Sequence, residues 1–79
     1  MPRSVHTTAY KWLCQTLVAA RHKAGLTQAQ VAEGIGRPQS FVAKVEGGER
    51  RLDVVELVEI CRLLSADPEK IIRSLQAKV

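Results

Sequence analysis

Seventy-nine residues, 46% of them hydrophobic, make one small globular domain with a thin core and no room for a second, catalytic unit. Only Tyr10, Trp12 and Phe41 are aromatic, too few for a platform that stacks unpaired bases. The net charge of +4 is unevenly spread: through Arg51 eight Lys/Arg stand against three Glu, and from Leu52 on four stand against five acidic residues. The positive field therefore belongs to the first two-thirds of the chain. That is the electrostatic footprint expected of a polyanion binder, with a merely basic surface as the alternative.

Residues 1–7 read as a flexible arm. From Thr8 to Ala24 the residues Tyr10, Leu13, Cys14, Leu17 and Val18 recur at helical spacing and form one apolar stripe, which Gly25 ends. Thr27 reads as the N-cap of a second helix, and Gln30 completes a capping box. That helix runs to about Ile35. Gly36 follows where a tight inter-helix turn wants a residue tolerant of positive φ. Pro38 suits the first turn of a third helix, which turns Phe41, Val42 and Val45 inward and ends at Gly47-Gly48.

After the charged loop Glu49-Arg50-Arg51, Asp53 and Glu56 form a second capping box. The helix they start, running to about Leu64, carries Val54, Val55, Leu57, Val58, Ile60, Cys61, Leu63 and Leu64. So wide an apolar face predicts the central helix of the core. Asp67-Pro68-Glu69 supplies a cap, a first-turn proline and an early acid for a last helix. Its apolar residues Ile71, Ile72, Leu75 and Val79 either close the core or offer a dimer face. The expected fold is all-α, five short helices over residues 8–79 as a single domain.

From Leu17 to Leu75 the chain resembles the Cro/phage-repressor-like, XRE-type helix-turn-helix domains. The run Arg21-x-x-x-Gly25-Leu26-Thr27-Gln28 carries that resemblance, with Val31-Ala32, Gly36, Ser40, Val42, Val45-Glu46 and Gly48. The resemblance implies a lambda-repressor-like bundle in which Arg21 pairs with Glu46. It also implies that the helix of about residues 38–46 enters the major groove of double-stranded DNA. On that helix Gln39, Ser40 and Lys44 are the expected base contacts: glutamine matches adenine, lysine the guanine acceptors, and serine is permissive. Thr27 and Gln28, at a helix N-terminus, and Arg37, Arg50 and Arg51, in flanking loops, are the expected phosphate contacts. Thr27 is equally explained as a cap. Arg3 and Lys11 lie on the N-terminal side and are poorly placed by sequence. Two departures from the family pattern stand out: Leu52 occupies a position where proline is common, and Pro38 makes the start of the recognition helix uncertain by a residue.

So small a reader argues for a homodimer on a palindromic operator. The competing reading is an antitoxin-type module that neutralises a partner protein and regulates its own operon, although the chain ends soon after its fifth helix, without an added arm. An enzyme is the weakest reading: no carboxylate pair, Ser/His/Asp set or Cys/His dyad is apparent, and Cys14 and His22 fall on different helix faces. Cys14, Cys61, His6 and His22 match no zinc spacing, so no metal or other cofactor is expected and the cysteines read as small core residues. The N-terminus lacks an apolar signal region, and no apolar run approaches the roughly 18 residues of a membrane span, so the cytosol is the expected compartment.

Overall fold

The computed structural model describes residues 7–79. Five helices occur among them: α1 Thr8–Ala24, α2 Gln28–Ile35, α3 Gln39–Glu46, α4 Val54–Leu64 and α5 Pro68–Gln76. No strand accompanies them among the described residues. The arm expected at residues 1–7, with Arg3 and His6, lies outside the described residues except for Thr7. Thr7 is the N-cap of α1, its hydroxyl oxygen accepting from the Tyr10 N–H at 3.1 Å.

Helix boundaries follow their local chemistry. Thr27 accepts from the Gln30 N–H while the Gln30 side chain accepts from the Thr27 N–H, so both arms of the first capping box are made. Asp53 and Glu56 close the second in the same way. Gly36 takes φ 70°, a left-handed value that costs glycine nothing. It lets its own N–H reach the Glu33 carbonyl and the Arg37 N–H reach the Ala32 carbonyl, which closes α2 and turns the chain into α3. Pro38 is corrected by one position. It is extended, with ψ 153°, and stands as the N-cap of α3 rather than inside its first turn. α3 therefore begins at Gln39. Ser65 ends α4 in the left-handed region at φ 56°, a role the sequence did not mark because glycine usually fills it.

α1 packs on α3, α4 and α5, and α2 packs on α3 and α4. Tyr10, Leu13, Cys14 and Leu17 from α1 meet Val31, Ala32, Phe41, Val42 and Val45 from the two-helix unit, and Leu57, Ile60, Cys61, Leu64 and Ile71 complete the core. Both cysteines are buried and unpaired, as small core residues, and burial pushes both thiols up. α2 comes close to α4 at Gly34, where a Cβ would lie 2.6 Å from a methyl carbon of Leu63, so the missing side chain admits that leucine.

The wide apolar face expected of α4 needs correction. Leu57, Ile60, Cys61 and Leu64 are buried, but Val54 and Val55 are 72% and 67% exposed, and Val58 also faces solvent. The core takes only one stripe of the helix. Similarly, Ile71 points inward on α5 while Ile72 and Val79 point out. Val54, Val58, Pro68 and Ile72 line one open groove between α4 and α5, above the buried Leu57.

Candidate nucleic-acid interface

The two sides of α3 have opposite characters. Phe41, Val42 and Val45 are buried, and Gln39, Ser40, Ala43 and Lys44 are all exposed. This division follows from helical spacing, because residues three and four apart share a face. The exposed row is short and mixed, one amide, one hydroxyl, one methyl and one ammonium. It can donate and accept hydrogen bonds and meet a thymine methyl.

The pose of this row is set from behind. Arg21 donates from Nε to one Glu46 oxygen at 2.7 Å and from an Nη to the other at 3.0 Å. The pair is a two-point fork between α1 and the end of α3, with side chains only 12% and 11% exposed. The remaining Nη of Arg21 donates to the Leu26 carbonyl, and Gln28 Nε2 donates to Glu46 at 2.9 Å. Gln28 also accepts a long contact, 3.5 Å, from Gln39 Nε2. The first residues of α2 and α3 are thereby joined, and the hydrogen bond to the Glu46 carboxylate holds the Arg21 guanidinium's pKa above its ordinary value.

The arginines around α3 divide into two kinds. Arg51 is exposed and lies 4.8 Å from the Tyr10 ring centre. Arg37 and Arg50 are held inside the fold's own network by Glu56, a contact that sequence reasoning missed. Glu56 accepts four hydrogen bonds: the Asp53 N–H at 3.0 Å, two from Arg50 at 3.1 and 3.2 Å, and one from Arg37 at 3.0 Å. Four donors saturate a carboxylate, which is how this one is accommodated with only 6% of its surface exposed. The two guanidiniums also lie over Phe41, at 4.7 and 4.5 Å from its ring centre. The second capping box was readable in the sequence; that the same carboxylate gathers two loop arginines was not, since no local pattern encodes it.

A second link holds the loop after α3. The Tyr10 hydroxyl donates to the Arg50 carbonyl at 2.8 Å and accepts from the Leu52 N–H at 3.0 Å. Proline at position 52 would have no N–H to offer, so this chain's departure from the family pattern is put to use. Lys11 is exposed on α1. Among the described residues no three His, Cys, Asp or Glu side chains are grouped to hold a metal ion, and no helix is long and apolar enough to cross a membrane.

Comparison with known proteins agrees with this geometry. Residues 12–71 match the family described as a helix-turn-helix domain. A solved structure of an XRE-family-like protein from Pseudomonas syringae pathovar tomato is similar at 46% identity and a TM-score of 0.82, over 87% of this chain and 84% of that one. Among curated proteins none matches. The chain belongs to the XRE-type helix-turn-helix family, and it has the fold of that family's DNA-binding regulators.

Two outcomes follow from the carboxylates. Arg21→Ala leaves Glu46 with most of its hydration lost and its charged partner gone. A loss of about 3 kcal/mol in urea-unfolding free energy is expected, and a loss below about 1 kcal/mol would remove the brace from the account. For Glu56 the folded pKa is lowered from 4.5 to about 2, by the Asp53 N–H first and then by the two arginines, against the opposing effect of burial. A lowered folded pKa stabilises the fold above the unfolded value, and that stabilisation drains away as pH falls from 4.5 toward 2. Unfolding free energies measured across that acid window should fall more steeply for the native chain than for Glu56→Gln, and parallel curves would contradict the assignment.

Proposed function

We propose that this protein is a sequence-specific regulator that reads duplex DNA with α3 in the major groove and binds a palindromic operator as a homodimer. The observation that carries the reading is the exposed row Gln39, Ser40 and Lys44 on a helix whose opposite side is locked by Phe41, Val42, Val45 and the Glu46 fork. Base contacts fall to those three residues, Gln39 and Ser40 in the first turn and Lys44 one turn on. Thr27 and Gln28 meet a phosphate at the start of α2, where free N–H groups and the helix dipole favour an anion. The Thr27 cap uses only the hydroxyl oxygen as acceptor, so its hydrogen is available to the same phosphate. Arg37, Arg50 and Arg51 supply the other backbone contacts. In this reading the protein works without catalysis or cofactor, in the compartment that holds the DNA.

The second copy is assigned to the groove of Val54, Val58, Pro68 and Ile72 on α4 and α5. Exposed β-branched residues clustered on two adjacent helices are a costly surface for a monomer, and a twofold pairing of one such groove with itself would cover both. The same groove would serve the antitoxin-type alternative, with a different protein seated in it.

Selection from a random duplex pool at two salt concentrations tests the reading directly. Gln39→Ala and Lys44→Ala should each relax preference at one base position by about 1–3 kcal/mol, while Arg51→Ala should weaken all sequences alike and flatten the salt dependence. Unchanged preference in both helix variants would remove α3 as the reader. Light scattering should give a dimer on the selected duplex that Ile72→Glu disrupts; a native monomer there would remove the homodimer and leave the groove to another protein.

A further inference from the structure

We infer that Glu56 is a positioning residue for DNA binding, holding Arg37 and Arg50 together over Phe41 as one paired phosphate clamp. This rests on the DNA reading above and goes beyond it, because Glu56 itself touches no DNA.

The two arginines flank the recognition helix in sequence, Arg37 just before α3 and Arg50 just after it. Both are anchored to its first turn through the Phe41 ring. A guanidinium free in a loop samples many rotamers and surrenders that freedom when it meets a phosphate. Here both guanidiniums are already hydrogen-bonded in place in the unbound protein. Glu56 fixes both heads to its two oxygens, and the capping box fixes Glu56 to the start of α4. The clamp therefore moves with α3, and phosphate contacts and base contacts share one register.

The arrangement keeps the means to bind an anion. Two cations and one anion leave a net positive charge. Arg37 uses one Nη on Glu56, and its Nε and other Nη have no protein partner among the described residues. The Arg37 and Arg50 side chains remain 37% and 41% exposed, while that of Glu56 is 8% exposed. The arginines thus present donors outward from a carboxylate that a phosphate cannot approach.

A capping box does not need a charge, because glutamine closes it as well as glutamate. Glu56→Gln therefore keeps the cap and the volume, and removes only what holds the arginines. The probes are the duplex selected by the native chain and a scrambled duplex of equal length and base composition, each titrated across salt. The expected result is binding to the selected duplex weakened about tenfold. Binding to the scrambled duplex should hold or tighten slightly, since the protein gains one unit of positive charge, so the specificity ratio falls by at least that factor. A structural role alone would lower both affinities together, and an equal shift in both, or no shift, overturns the inference. In an Arg37→Gln/Arg50→Gln background the Glu56→Gln change should have no further effect on the ratio; a full effect there also overturns it. Should Glu56→Gln fail to fold, Arg37→Gln and Arg50→Gln serve, singly and together: for one coupled clamp the double variant loses less than the sum of the two single losses, and additive losses overturn the inference. A native chain that enriches no sequence overturns the DNA reading; one that does so beside an unaffected variant overturns this inference alone.

Discussion

Arg21 and Glu46 come from the last turn of α1 and the last residue of α3, and both have lost most of their water. Charges tolerate that state only when the geometry is good and the leftover polar atoms are matched. Every part of this pair is matched: the fork itself, the Leu26 carbonyl on Arg21, and Gln28 on Glu46. The last of these carries the constraint into α2. Three helices consequently cannot choose their crossing angles independently. Apolar packing alone tolerates small slips of one helix over another, whereas a two-point hydrogen-bonded fork does so poorly. The exposed row Gln39, Ser40, Ala43 and Lys44 is posed as a unit by this fork, because a shift of α3 displaces all four side chains at once.

Two carboxylates organise a surface that is otherwise basic. Glu46 holds the C-terminal end of α3 against α1, and Glu56 gathers the loops on either side of α3 around its first turn. Neither faces outward, so neither weakens the outward field as much as a surface acid would. Glu46 and Glu56 are in this sense internal fasteners, and Glu56 fixes the place where Arg37 and Arg50 emerge.

The helices were legible in the sequence because their signals are local. Thr27 with Gln30, Asp53 with Glu56, Gly36 and Asp67-Pro68 each act within four residues of the boundary they set, and each boundary falls where they place it. The outward row Gln39, Ser40 and Lys44 was legible for the same reason, as the complement of Phe41, Val42 and Val45. Arg21–Glu46 came from the family resemblance, and spacing alone offered no route to it. What stayed hidden depends on neighbours distant in sequence. Spacing tells which residues share a face of α4 but not whether another helix covers it, so Val54, Val55 and Val58 read as core and stand in solvent. Arg37 looked like a free loop cation, and its partner lies 19 residues on. Gly34, whose missing side chain admits Leu63, carried no signal in the sequence, because the leucine it meets lies on another helix.

The link from Tyr10 to the loop at Arg50 and Leu52 bears on when this surface comes into being. A proline at position 52 would stiffen the loop even in the unfolded chain, since its φ is set by a ring. Leu52 is instead ordered by a hydroxyl 42 positions away in sequence. The Glu49 and Arg50 N–H groups are tied locally to the Lys44 carbonyl, and the Arg50 carbonyl and Leu52 N–H gain their tie only when α1 has closed onto the loop. Fraying at the start of α1 would loosen the loop at Arg50 and Leu52 without unfolding α3. The phenol of Tyr10 thus makes the integrity of the first helix a condition for the shape of the last loop before α4.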